Sequence, residues 1–262
     1  MSGDIWDTNN VFDADYLDIL NRRATGELPE MESAKSVAEI LSEIVCNKDS
    51  ILDVGCGVGH YYRTYKRVIK VGFSYTGIDV AEECVLSGRS IWEHDPNVEF
   101  SVGNIFDLPI GDNSYDIGIC TNAMMNLSAI VEPIKELLRV SRKFVVVRTT
   151  LSERSWLIQE VFNSAWYAHT DVSPDNEIGD DGAPRLFSRY NIYSKGYFAG
   201  LIKRFAPSAT VEFIDDTQYS IENINVSAQQ EGRPNATTAV GSHLLYGNTI
   251  VLPYSFAIIT LN

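Results

Sequence analysis

Apolar residues recur along this chain with two different periods. Over residues 12–23 and 29–46 they fall at helical spacing. In the second stretch Val37, Ile40, Leu41, Ile44 and Val45 gather on one face behind Pro29. From residue 50 onward, short apolar runs alternate with amphipathic stretches. This pattern predicts strands at 50–55, 75–79, 98–102, 115–121 and 143–148, and helices at 59–69, 81–92 and 130–140. A turn-rich stretch at 108–113 precedes the fourth strand. Strands that alternate with helices predict a parallel sheet covered on both faces, because each parallel connection has to cross over the sheet.

Past residue 148 the rhythm loosens. The pattern predicts a helix over 153–167, a polar stretch over 168–190, a helix over 194–205 and a strand over 210–214. Residues 215–248 show no clear element, and a strand closes the chain at 254–261. No linker separates two apolar cores, so one domain is expected over 1–262. It divides into an N-terminal helical cap (1–47), a sheet core (48–148), an insertion with its helix (149–208) and C-terminal strands (209–262) with a long 215–253 loop.

Composition narrows the class. Hydrophobic residues make up 45% and aromatics 11%, enough to fill a core, which argues against disorder. The charge is −14, from 21 Lys+Arg against 35 Asp+Glu, which argues against a surface built for nucleic acid. No apolar run approaches the roughly 18 residues of a membrane span, and the acidic start lacks the order of a secretory signal. Cys46, Cys56, Cys84 and Cys120 have neither Cys-x-x-Cys spacing nor clustered histidines. No disulfide framework or metal site is expected, and a cytoplasmic location is.

The candidate chemistry lies in Ile51-Leu-Asp-Val-Gly-Cys-Gly-Val-Gly-His60. A strand runs through a glycine-rich turn into a helix, which points backbone N–H groups at a ligand. Gly55 and Gly57 allow close approach of the main chain, and Gly59 allows the helix to pack on the strand. The dinucleotide fingerprint requires its third glycine at position 60, where His60 stands. Asp53, two residues before Gly55, suits a cationic ammonium group and would repel a pyrophosphate.

An acid followed by Gly-x-Gly-x-Gly resembles the first motif of the class I S-adenosylmethionine-dependent methyltransferases. Three further segments resemble that family in order. Tyr75-Thr-Gly-Ile-Asp79 ends a strand in an acid placed for ribose hydroxyls. Val102-Gly-Asn-Ile-Phe-Asp-Leu-Pro109 is similar to the adenine-holding segment, with Asn104 where the family commonly has Asp. Asp112-Asn-Ser-Tyr-Asp-Ile-Gly-Ile-Cys120, followed by Thr121-Asn-Ala-Met-Met-Asn126, is similar to the fourth-strand motif. The resemblance covers about residues 48–148. It implies a doubly wound, mainly parallel seven-stranded sheet whose last strand is antiparallel. It also implies S-adenosyl-L-methionine as cofactor, S-adenosyl-L-homocysteine as product, and a cofactor site of Asp53, Gly55, Cys56, Gly57, Gly59, Asp79, Val80, Asn104, Ile105 and Thr121.

In such a sheet, ligands bind beyond the carboxyl ends of the strands. The 149–193 segment, the 215–253 loop and the N-terminal helices then converge on one mouth as a lid. Arg148, Arg185, Arg189, Tyr190 and Tyr193 are the candidate acceptor-binding residues, and arginines in so acidic a chain point to an anionic group on the acceptor. His169 and His243 are candidate bases for an oxygen acceptor; Glu153, Asp171 or no base at all remain alternatives. The acids are not clustered for a metal. The expected activity is methyl transfer to a small polar acceptor, at an oxygen of a saccharide or natural-product intermediate, with no nucleic-acid or membrane partner. The rival readings are a nicotinamide dehydrogenase, disfavoured by His60 and Asp53, a non-catalytic module on the cofactor fold, and a nucleic-acid methyltransferase. The last is disfavoured by charge and by Thr121-Asn-Ala-Met-Met, which lacks an Asn-Pro-Pro-Tyr type motif.

Overall fold

Ile51 and Leu52 are neighbours in the strand β1 (Asp49–Val54), so they point to opposite faces, and both are fully buried. A strand buried on both sides needs helices on both sides. The computed structural model supplies them, and it describes residues 14–161, 178–184, 187–217, 237–240, 243–246 and 250–262.

The helices α1 (Ala14–Thr25) and α2 (Glu32–Ile44) precede β1. Then follow α3 (Tyr62–Val68), β2 (Phe73–Asp79), α4 (Glu82–Ile91), β3 (Val98–Val102), β4 (Tyr115–Thr121), α5 (Val131–Val140) and β5 (Ser141–Ser152). The second half adds β6 (Gln159–Val161), β7 (Phe187–Arg189), β8 (Tyr193–Ser194), α6 (Lys195–Phe205) and β9 (Thr210–Asp215). Four strands close the chain: β10 (Thr237–Val240), β11 (His243–Tyr246), β12 (Ile250–Leu252) and β13 (Tyr254–Thr260).

The main sheet runs in the order β3-β2-β1-β4-β5-β13-β9, with the short β8 continuing alongside the end of β5. Strands β3 to β5 are mutually parallel, and β13 lies antiparallel between β5 and β9. This is the expected doubly wound sheet with its antiparallel last strand. One face packs on α5 and α6 through Leu137, Phe198 and Ile202; the other packs on α2 and α3 through Val37, Leu41 and Tyr65.

Three expectations are corrected. The helix predicted over 153–167 is absent from its described part. There the Trp156 N–H and C=O exchange bonds of 2.7 and 2.8 Å with Ile192, and the Ile158 N–H donates to Asn191 Oδ1. Backbone groups committed sideways are unavailable for a helical ladder, and residues 159–161 pair with β7 instead. The 215–248 stretch holds β10 and β11, which form a three-stranded antiparallel sheet with β12. Runs of three or four residues are too short to show a period-two signal. The helix predicted from residue 59 begins at Tyr62, because the turn before it consumes the intervening residues. No described helix is long and apolar enough to cross a membrane.

Candidate active site

The turn after β1 is built from left-handed backbone. Gly55, Gly57 and Gly59 have φ of 80°, 56° and 73°, a region that side chains disfavour. The Gly55 and Cys56 N–H groups donate to the Ile78 carbonyl at 2.7 and 3.2 Å, which ties the loop to β2. At Gly59 there is no room for more than hydrogen, since a Cβ would come within 2.5 Å of the Phe100 ring.

Asp79 closes β2 directly beside this loop. Its Oδ2 accepts the Gly57 N–H at 2.7 Å and its Oδ1 accepts the Ala81 N–H at 3.0 Å. Burial pushes its ionisation up, and the backbone donors Ala81, Gly57 and Val80 pull it back. Asp53 is more isolated. It is 2% exposed; Oδ2 accepts the Tyr75 hydroxyl at 2.8 Å, while Oδ1 is buried without a hydrogen-bond partner. Burial raises Asp53 to about 7 against the opposing Tyr75 bond, with Asp79 adding to the rise.

The N-terminal helix α1 reaches this loop. Leu20 of α1 stands 3.3 Å from where a Gly57 Cβ would be, and Leu20 and Ala24 pack with Val58 and Cys84. Asn21 and Ser87 join α1 to α4 at 2.6 Å. Under this cover the His60 Nδ1 is buried without a partner, and burial together with Arg23 pushes the imidazole down to about 3. His60 is therefore neutral at pH 7.

The remaining cofactor candidates follow along the carboxyl edge. Val80 and Val102, next to the ends of β2 and β3, are each 47% exposed although apolar. The Gly103 N–H donates to the Asp79 carbonyl, Asn104 Oδ1 accepts the Phe106 N–H at 3.0 Å, and Ile105 packs against the core. Thr121 ends β4. The structure thus brings Asp53, Gly55, Cys56, Gly57, Gly59, Asp79, Val80, Asn104, Ile105 and Thr121 to the carboxyl ends of four adjacent strands.

The acceptor candidates fare differently. Arg148 does not present its charge to a mouth. It is 2% exposed and its Nη2 and Nε lie 2.6 and 2.7 Å from Asp216 Oδ2. Its guanidinium also lies 4.0 Å over the Tyr254 ring and donates through Nη1 to Asn122 Oδ1. Tyr193 is a core residue, packed with Leu151 and Phe198, and its hydroxyl accepts from Asn191 Nδ2 at 3.2 Å. Arg189 lies in β7, 5.1 Å over Phe187, and burial lowers its ionisation. The Tyr190 N–H donates to the Ile158 carbonyl. His169 and Arg185 lie outside the described residues, and His243 is placed by its backbone alone, as the first residue of β11. Among the described residues no cluster of His, Cys, Asp and Glu is arranged for a metal.

Sequence reasoning missed Asn122. It follows β4 with φ 60° and is held there three ways: its N–H donates to the Arg148 carbonyl, its Oδ1 accepts from Arg148, and its Nδ2 donates to the Tyr61 hydroxyl at 2.8 Å. Tyr61 in turn meets Ser33 of α2 at 2.5 Å. A short polar residue just past a strand is the one signal that anticipates such a left-handed turn.

Comparison with known proteins agrees with this geometry. Residues 51–143 match the family described as "Methyltransferase domain". A malonyl-[acyl-carrier protein] O-methyltransferase of Pectobacterium atrosepticum is 29% identical over 106 residues, 40% of each chain. A SAM-dependent methyltransferase structure from Aquifex aeolicus superposes with TM-score 0.51 at 16% identity, over 95% of this chain and 98% of that one. The [4+2]-cyclase SpnF superposes with TM-score 0.61 at 16% identity, over 94% and 92%. The matched stretches span 36% to 40% of the length of most of the curated relatives. Motif order and strand order agree with these matches: residues 51–143 match a methyltransferase domain, and the sheet has the class I methyltransferase fold.

Proposed function

We propose that this protein transfers a methyl group from S-adenosylmethionine to an oxygen of a small polar acceptor, of the saccharide or natural-product class, by in-line displacement. The observation that carries the reading is the buried Asp79 carboxylate bound to the Gly57 N–H, with Asp53 beneath the same loop. When bound, the cofactor supplies a methyl group on a cationic sulfur whose leaving group is a neutral thioether. The chain's own work is then to bind, align and exclude water. Asp79 accepts hydrogen bonds from ribose hydroxyls, the left-handed loop brings its amides close, and α1 covers the loop. Thr121 and Asn122 border the side where the acceptor approaches.

The acceptor reading changes in one respect. Arg148 is matched by Asp216, so an anionic group on the acceptor falls to Arg189 and Arg185. The chain's −14 charge supports a small molecule over a nucleic acid. Calorimetric titration with S-adenosylhomocysteine and, separately, with NAD tests the cofactor: the first binds and the second does not. Transfer of labelled methyl to a panel of hydroxylated small molecules then tests the reaction. A [4+2]-cyclase with this fold favours a second reading, in which the domain binds the cofactor without transferring its methyl. Binding of S-adenosylhomocysteine with no transfer to any member of the panel supports that alternative.

A further inference from the structure

Asp53 lies beneath the glycine loop with one carboxyl oxygen satisfied and the other not. Oδ2 takes the Tyr75 hydroxyl, and Oδ1 is enclosed without a donor. The titratable groups that face it come from every neighbouring element: Tyr75 and Asp79 of β2, Tyr65 of α3, Cys56 of the loop and Cys120 of β4. None is basic. An ionised carboxylate in that position would have one phenol for solvation and Asp79 for company, which is an unfavourable place for negative charge.

We propose that Asp53 is carried as the neutral acid in the cofactor-free protein and becomes the carboxylate that pairs with the cofactor's ammonium group, so that cofactor binding drives a proton into solution. The proposal rests on the reading that S-adenosylmethionine binds at this loop. In the step, the O–H bond of the Asp53 carboxyl breaks, its proton passes to buffer and an ion pair with the ammonium takes its place; nothing is oxidised or reduced. Tyr75 acts as a positioning residue, because its hydroxyl fixes Oδ2 and leaves Oδ1 as the carboxyl oxygen without a donor.

The neighbours do not supply this proton. Burial holds the thiols of Cys56 and Cys120 and the phenols of Tyr65 and Tyr75 above their usual ranges, and His60 is already neutral. Asp79 is the other acid at the loop; burial raises its ionisation as well, against the N–H groups of Ala81, Gly57 and Val80 that stabilise its carboxylate, so Asp53→Asn is the variant that separates the two. Asp53, with burial placing it at about 7, has the single phenol.

The test is calorimetric titration of the full chain with S-adenosylhomocysteine near pH 6.5, in phosphate and in an amine buffer of larger ionisation enthalpy. The observed enthalpies differ by the equivalent of about 0.8 proton released per ligand, and affinity rises about tenfold per pH unit between about pH 5 and 6 before levelling above about 7. Asp53→Asn binds more weakly and releases no proton. Tyr75→Phe keeps the acid and loses its donor, so the levelling moves to higher pH; this variant decides the matter if Asp53→Asn binds too weakly to measure. Identical enthalpies in the two buffers, undiminished release by Asp53→Asn, or an unmoved profile in Tyr75→Phe would overturn the proposal while leaving the cofactor reading intact. Failure of the unaltered chain to bind S-adenosylhomocysteine at any pH would remove both.

Discussion

Asp49 and Asp53 stand at opposite ends of β1, both buried, and their surroundings are opposite in kind. Asp49 takes Lys143 at 2.6 Å and the Cys46 N–H at 2.9 Å. Asp116, next to it on β4, takes the Ser50 N–H and hydroxyl at 2.9 Å each, with Arg142 at 3.0 Å and Lys143 at 3.2 Å. These bonds overcome partial burial and hold Asp116 well below the usual carboxylate range. Among the described residues Asp53 has one phenol and no cation. At the amino ends of the strands the fold has matched each of these acids within itself. At the carboxyl ends it leaves Asp53 unmatched, and such a group marks where something from outside completes the structure.

The Arg148–Asp216 pair cuts across this division, being a matched pair at the carboxyl end, and it gives the largest expected effect. Arg148→Met strands a buried carboxylate and should cost about 3–5 kcal/mol in urea unfolding, while adding Asp216→Leu restores most of it. A selective loss of acceptor affinity with unchanged stability would return Arg148 to the acceptor site. Next comes Asp79→Ala. It removes the brace of Gly57 and the carboxylate proposed to accept the ribose hydroxyls, and S-adenosylhomocysteine affinity should fall about 100-fold by calorimetry.

Asp116→Ala sharpens the contrast from the other side. It orphans the Ser50 N–H and should cost about 2 kcal/mol, seen as a melting temperature lower by about 4–8 °C with cofactor affinity unchanged. The smallest effect has the opposite sign. The raised ionisation of Asp53 means that the folded state keeps a proton the unfolded chain releases near pH 4. Its stabilising share is therefore present below about pH 4 and is lost as pH rises toward about 7. At pH 8, Asp53→Asn should melt a few degrees higher than the unaltered chain and bind cofactor more weakly. A lower melting temperature would show that the charged carboxylate is structurally satisfied after all.

The sheet core was readable because β1, β2, β4 and β5 each carry a run buried on both faces, and because Gly55, Gly57 and Gly59 fall at a spacing that few other uses of glycine require. The cap on the loop was partly readable from the apolar spacing of the N-terminal helices. Arg148 was misread, since a strand residue's partner two strands away is set by register. Phe256 pairs with Arg148 and Ile214 with Phe256, which carries Asp216 to the same face just past β9. Tyr193 was misread because β5 runs on to Ser152, so β8 pairs with it and its side chain turns into the core. The chain from 153 to 161 takes its form from partners such as Asn191 and Ile192, far along the sequence, and local periodicity carries no trace of such partners.

Asn122 has an evolutionary consequence. Glycine would relieve its left-handed backbone but lose the side-chain bonds to Arg148 and Tyr61. Tyr61, Asn122, Arg148 and Asp216 thus form a unit in which one change leaves the other three worse off. Among descendants of this fold the four positions should be inherited or replaced together, so a search for chains that share all four would separate its nearest kin from the many methyltransferases that share only the glycine loop.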